Sequence, residues 1–224
     1  MKNKSKLIAI VGGSGAGKTW LADKFQNALG ADAARLSLDD FYKDLSHLPP
    51  SQRDRVNFDE PDAIDWPLVQ TALLGCSAGR ATPTPQYDFA THTRLPHARR
   101  FVPAPLVLVE GLWLMWMPGV WHMFDLKIFL DCPAQLRLER RLARDVDARG
   151  RTSYSVRKQF WETVAPMHDR HVAPQARWSD IILKPHAGEA ELQEIIELIR
   201  VKMPDAPAPE TIAPFRRELS LQAA

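Results

Sequence analysis

Cysteine is nearly absent from this 224-residue chain, with Cys76 and Cys132 the only two. They have neither metal-ligand spacing nor the density of a disulfide framework, which excludes a disulfide-stapled or zinc-ribbon design. Both read as buried small hydrophobes suited to a reducing compartment. An excess of one charge is lacking too: 29 Lys and Arg against 27 Asp and Glu leave a net +2. That is too little for a nucleic-acid or membrane-surface protein. Long apolar runs are also missing. The basic start from Met1 to Lys6 leads into an apolar run at 7–11 that breaks into glycines, so neither a signal peptide nor a membrane span is expected there. The expectation is a cytoplasmic protein with no nucleic-acid and no membrane partner. No Asn-Lys-x-Asp run is present to read guanine, which argues against a GTPase switch.

What is present is an ordinary globular balance, 45% hydrophobic and 25% charged, enough for one sizeable domain. Apolar runs at 7–11, 34–38, 106–109, 126–130 and 181–183 are nearly continuous in apolar character rather than alternating. Strands buried on both faces by helices have that character. Between the runs lie helical patterns, the clearest being Leu192, Ile195, Ile196 and Ile199 at i, i+3, i+4 and i+7. Strands alternating with helices predict an α/β layered fold with right-handed crossovers. Prolines at 49–50, 83–85 and 103–105 mark loops, and Pro204, Pro207, Pro209 and Pro214 mark a tail from 204 to 224 outside the packed domain at 1–203.

The run Gly12-Gly13-Ser14-Gly15-Ala16-Gly17-Lys18-Thr19 fits G-x-x-x-x-G-K-[ST]. Its glycines let backbone N–H groups converge on phosphate oxygens at a helix N-terminus. Lys18 then reaches the β- and γ-phosphates, and the Thr19 hydroxyl ligates magnesium. The context suits a P-loop, with a strand at 7–11 directly before and a helix at 19–29 directly after. A partner carboxylate for the metal is expected at the carboxyl edge of the sheet, where ligands collect. Glu110 follows the run at 106–109, and Asp39 and Asp40 follow the run at 34–38.

A P-loop alone does not separate a kinase from other nucleotide-binding proteins. Arg137, Arg140, Arg141 and Arg144 fall at i, i+3, i+4 and i+7 after Pro133, opposite an apolar stripe of Ala134, Leu138, Leu142 and Val146. Guanidinium groups facing a P-loop neutralise charge on a transferring phosphoryl group, and Arg149-Gly150-Arg151 can complete a lid. A solvated basic face balanced by Glu139 and Asp145 is the plainer reading of that spacing; the P-loop shifts the balance to a lid-type phosphotransferase.

Together the residues resemble the uridine kinases (uridine–cytidine kinases) of the P-loop nucleoside-kinase group. The stretches that carry the resemblance are GGSGAGKT at 12–19, DDFYKDL at 39–45, NFDEPDAID at 57–65, YDFATHTR at 87–94, VLVEG at 107–111, RRLARDVDARGR at 140–151, QFWETVAPMHDRHVAP at 159–174 and WSDIIL at 178–183. The resemblance implies a three-layer P-loop NTPase fold with a mainly parallel five-stranded sheet, helices on both faces and a small lid at about 137–160. It also implies transfer of the γ-phosphoryl of ATP or GTP, with Mg2+, to the 5′-hydroxyl of uridine or cytidine.

Residue by residue, Asp39 is similar to the general base that lies near magnesium; without the resemblance, Asp39 and Asp40 stay equivalent. Asp59 is similar to the carboxylate that accepts both ribose hydroxyls. Tyr42, Tyr87 and His92 look like the wall around the base, Arg141 and Arg144 like lid arginines on phosphate, and Arg151 and Gln159 like further substrate contacts. Phe41 reads as packing. The chain departs from the pattern at Lys184 to Gly188 and in the aromatic run 113–118, where ordinary packing of Trp113 and Trp116 is expected. A kinase for nicotinamide riboside, pantothenate or ribulose phosphate, or a non-catalytic ATP-binding regulator, are the competing readings. Related enzymes commonly form homo-oligomers.

Overall fold

The computed structural model describes residues 4–53, 55–147, 150–185 and 187–202. The Pro-rich tail at 204–224, Arg149 and His186 lie outside the described residues. Five parallel strands build the central sheet: β1 (Lys6–Gly12), β2 (Ala33–Ser37), β7 (Leu106–Gly111), β8 (Leu126–Leu130) and β9 (Ile181–Leu183), in the order β2-β7-β1-β8-β9. Each overlaps one of the apolar runs in the sequence, although β2 ends at Ser37 and leaves Leu38 to the turn that follows. Glu110 lies within β7 rather than just after it.

Strand side chains alternate between faces, so a continuous apolar run feeds two cores at once. Leu7, Ala9 and Val11 of β1 pack on one face with Leu73 of α3 (Trp66–Ser77), Phe41 and Trp113. Ile8 and Ile10 pack on the other with Leu21 and Phe25 of α1 (Lys18–Leu29) and with Leu192, Ile195, Ile196 and Ile199 of α8 (Glu189–Val201). The periodic stripe read from the sequence is thus the buried face of α8. Cys76 and Cys132 are buried and free. No helix among the described residues is long and apolar enough to cross a membrane.

Two small antiparallel ribbons escape a reading based on apolar runs. They are β3 (Thr82–Thr84) with β6 (Arg99–Phe101), and β4 (Tyr87–Asp88) with β5 (Thr93–Arg94). Short helical turns α2 (Pro50–Arg53) and α4 (Pro118–Trp121) fill connections. After β8 the chain forms α5 (Ala134–Asp147), then α6 (Ser153–Gln159). It continues as a helical run that widens to π geometry at Phe160–Val164, returns to α7 (Ala165–Met167), and widens again at His168–Val172. Leu138 of α5 packs with Phe160, Val164 and Ala165 of that run in a third, separate core.

Replacement of Phe25, wholly buried between α1 and the sheet, by alanine removes a full ring from a core with no room to collapse. The expected loss is about 3–5 kcal/mol, read as a fall in the denaturant midpoint with an unchanged slope.

Candidate active site

Positive φ values at Gly15 (+82°) and Gly17 (+101°) turn the chain between β1 and α1, where a side chain is strained. Space is equally restrictive. A Cβ on Gly15 would meet the Arg137 carbonyl oxygen at 2.4 Å, and one on Gly13 would meet His168 Nδ1 at 2.7 Å. α5 therefore lies directly on the loop. Arg141 donates to Ser14 Oγ at 2.6 Å and Arg140 to the Ala16 carbonyl at 2.9 Å. Lys18 Nζ donates to the Gly13 carbonyl at 3.1 Å. Burial pushes the Lys18 ammonium pKa down, while the Glu110 and Asp39 carboxylates oppose that. Gly12 ends β1, and Thr19 is exposed in the first turn of α1.

The pairing of β2 with β7 sets Ser37 beside Glu110. Ser37 Oγ donates to Glu110 Oε1 at 3.0 Å and accepts from the Asp39 backbone N–H at 3.3 Å, so one hydroxyl ties the two acidic segments together. Burial, and then the like charge of Glu110, raise the Asp39 carboxyl pKa to about 6, against the pull of Lys18. Residues Leu38–Phe41 form a 3-10 turn, not the extended segment in which adjacent Asp39 and Asp40 would point to opposite sides. Neighbours still diverge, because successive residues in such a turn are about 120° apart. Asp40 faces Arg99 at 3.7 Å.

Beyond the carboxylates stands an aromatic box. The Tyr42 ring lies 5.3 Å from Tyr87, 5.6 Å from Phe58 and 6.5 Å from Trp113, and its hydroxyl donates to the Phe58 carbonyl. His92 sits at the tip of the β4–β5 ribbon at φ +55° and stacks on Phe58 at 4.4 Å. The Tyr87 hydroxyl and His92 Nδ1 are buried without a hydrogen-bond partner, which suits atoms left for a ligand. Phe58 and Phe89 of this box were not singled out in the sequence, although both lie inside the stretches that carry the resemblance. Arg94 was missed as well: it holds the box by donating to the Tyr42 carbonyl at 2.9 Å and to Asp65 at 3.1 Å. Phe41 is packed in the core, as read.

Asp59 lines a cleft with Ser14 of the loop, Trp113, Met167 and His168. Burial raises the Asp59 carboxyl pKa, and the Arg141 guanidinium opposes it. Arg141 thus reaches both sides, bonded to the loop and attracted to Asp59. On its outer side Gln159 Oε1 accepts from Arg141 at 3.3 Å and from Arg151 at 2.6 Å. Asp145, fully buried, accepts from Arg144 at 2.7 Å and pairs with Arg141 at 3.6 Å. Arg144 is therefore engaged with Asp145 rather than with the loop, although its charge is felt by Lys18 and Asp39. One edge of the sheet gathers the loop, Asp39, Glu110, Asp59 and Arg141; Tyr42, Tyr87 and His92 form the adjoining box.

A five-stranded parallel sheet with a glycine loop pressed under an arginine helix defines a P-loop phosphotransferase. The chain belongs to the phosphoribulokinase/uridine kinase family, whose model matches residues 7–189. It is 44% identical over 177 residues to a uridine kinase of Chloroflexus aggregans, covering 79% of this chain and 85% of that one. A uridine kinase of Deinococcus deserti is 38% identical over 186 residues, covering 83% and 89%. Among solved structures, phosphoribulokinase from Rhodobacter spheroides superposes with a TM-score of 0.61 at 17% identity, covering 81% of this chain and 70% of that one; it shares the fold.

The raised Asp39 carboxyl has a consequence for stability. A group whose folded pKa lies above its ordinary value stabilises the fold while protonated and loses that contribution as pH rises through the folded value, here about 6. The Asp39→Asn variant should therefore melt higher than the parent near about pH 8, and the gap should narrow toward about pH 5 in a fluorimetric melting series.

Proposed function

We propose that the chain is a nucleoside kinase that moves the γ-phosphoryl of ATP or GTP onto the 5′-hydroxyl of uridine or cytidine. One observation carries the reading: a single cleft is lined by Ser14 of the loop, by Asp59 and by Trp113, and the Trp113 ring lies 6.5 Å from Tyr42 of the aromatic box. The identity to curated uridine kinases supports the same acceptor.

In this reading the backbone N–H groups of residues 12–19 hold the donor phosphates, and Lys18 neutralises the β- and γ-oxygens. The mutual repulsion of Asp39 and Glu110 suits a divalent cation between them, with the Thr19 hydroxyl beside it. Among the described residues no cluster of three His, Cys, Asp or Glu forms a complete cage, as expected for magnesium, which takes much of its shell from water and phosphate. Bound there, magnesium supplies charge neutralisation on the phosphates. Asp39 accepts the proton of the attacking 5′-hydroxyl, Asp59 accepts the ribose diol, and Tyr42, Tyr87 and His92 enclose the pyrimidine. Arg141, Arg144 and Arg151, set by Gln159 and Asp145, steady the phosphoryl group, as part of a lid at about 137–160 within the domain at 1–203. Two buried free cysteines suit a cytoplasmic setting.

A coupled assay with uridine, cytidine, nicotinamide riboside, pantothenate and ribulose 5-phosphate tests the acceptor, with ATP compared against GTP. Turnover should be highest on uridine or cytidine; transfer only to another alcohol, or to none, overturns the reading. Asp39→Asn should lower kcat by about 10²–10⁴-fold while ATP binding persists. The parent's kcat/KM should fall as pH drops through about 6, where the Asp39 carboxylate takes up a proton.

A further inference from the structure

The cleft between Ser14 and Asp59 is lined by two side chains, Trp113 and His168, whose polar atoms the roles above leave unused. Trp113 is 1% exposed, and its indole Nε1 is buried without a hydrogen-bond partner. His168 Nδ1 is likewise buried and unpartnered. Both side chains line the same cleft as Asp59. His168 Nδ1 also stands so close to Gly13 that a Cβ there would meet it at 2.7 Å, which puts the imidazole at the seam between the donor loop and the acceptor cleft.

The segment that carries Trp113 is firmly held. The wholly buried Gln175 donates to the Leu112 carbonyl at 2.8 Å and accepts from the Met115 backbone N–H at 2.9 Å, clamping the segment that carries Trp113 from both sides. His168 opens the second π-type segment of the long helical run, a local widening that often marks a functional position. Burial, reinforced by the Arg137 charge, pushes the imidazole pKa down to about 4, so the ring is neutral near pH 7.

We propose that Trp113 and His168 are specificity residues that read sugar hydroxyls of the acceptor beside Asp59. The chemistry selects the group. An indole N–H only donates, and a neutral imidazole nitrogen without a proton only accepts. A hydroxyl can accept from the first and donate to the second. A carboxylate or phosphate has no proton to give the imidazole, and an ammonium has no lone pair for the indole. A ribose hydroxyl has one proton to give, so in this assignment the Asp59 carboxylate takes one proton of the diol and His168 Nδ1 the other, while the Trp113 N–H donates to a hydroxyl oxygen. The cleft therefore takes an uncharged polyol end and disfavours an acceptor that already carries a phosphate there. Ordinary packing explains the burial of Trp113 but not a buried N–H left unpaired.

This assignment rests on the ribonucleoside reading above, so the experiment separates the two. Uridine, 2′-deoxyuridine and 3′-deoxyuridine are compared by kcat/KM, or by inhibition constant where turnover is absent, in the parent and in Trp113→Phe and His168→Phe. Each variant should lose about 5–30-fold on uridine. Each should lose much less on the analogue that lacks the hydroxyl it reads, with the KM for ATP unchanged in Trp113→Phe. A purely structural role instead lowers the melting temperature and weakens all three ligands equally. Equal losses on all three, or uridine kinetics within twofold of the parent in both variants, overturn the assignment alone. A parent inactive on uridine and cytidine overturns the acceptor reading, and this assignment with it.

Discussion

The contact of α5 with the glycine loop is the constraint on which the rest of the site depends. The Arg137 carbonyl oxygen occupies the place a Gly15 side chain would need, and Arg140 and Arg141 bond the loop at Ala16 and Ser14. Loop and helix therefore have one shared geometry. Because Arg141 also faces Asp59 and shares Gln159 with Arg151, the same contact orients the groups on the acceptor side. Buried arginines are costly unless paired. Asp145 offsets that cost for Arg141 by placing a fully buried carboxylate against it, and the same carboxylate holds the exposed Arg144.

Sheet register supplies the second alignment. Ser37 lies opposite Glu110, and Glu110 opposite Ile10, so β2 and β7 end level with the strand that enters the loop. Three strand ends bring a hydroxyl, two carboxylates and a lysine within each other's field without any long-range side-chain search. Burial depresses the Lys18 ammonium and raises the Asp39 carboxyl, while the attraction between the two groups opposes both shifts. Each group would ionise normally in water; in the site, burial works against the charged form of both.

Much of this was legible in the sequence because continuous apolar runs have one good solution, a strand covered on both faces. All five runs at 7–11, 34–38, 106–109, 126–130 and 181–183 fall on strands of the sheet. The P-loop and the stripe of α8 were readable for the same kind of reason, a spacing that chemistry or geometry demands. The β3–β6 and β4–β5 ribbons were not, since strands of two or three residues, one containing Pro83, carry no periodicity. Asp39 and Asp40 could not be told apart by residue type; the partner that separates them, Arg99, is distant in sequence. Phe58, Arg94, Gln175 and His168 were invisible for a similar reason: their contacts come from packing between segments far apart in the chain.

The alternation of β1 has an evolutionary consequence. Leu7, Ala9 and Val11 belong to the core that includes Tyr42, Tyr87 and Trp113, whereas Ile8 and Ile10 belong to the core behind the phosphate loop. A single strand thus keeps two chemical tasks in separate compartments. Residues around the alcohol can drift by substitution on one side of the sheet while the nucleotide grip on the other stays untouched. Such a division lets one scaffold diversify its acceptors, and the tryptophan that departs from the aliphatic pattern at position 113 lies on the side free to change.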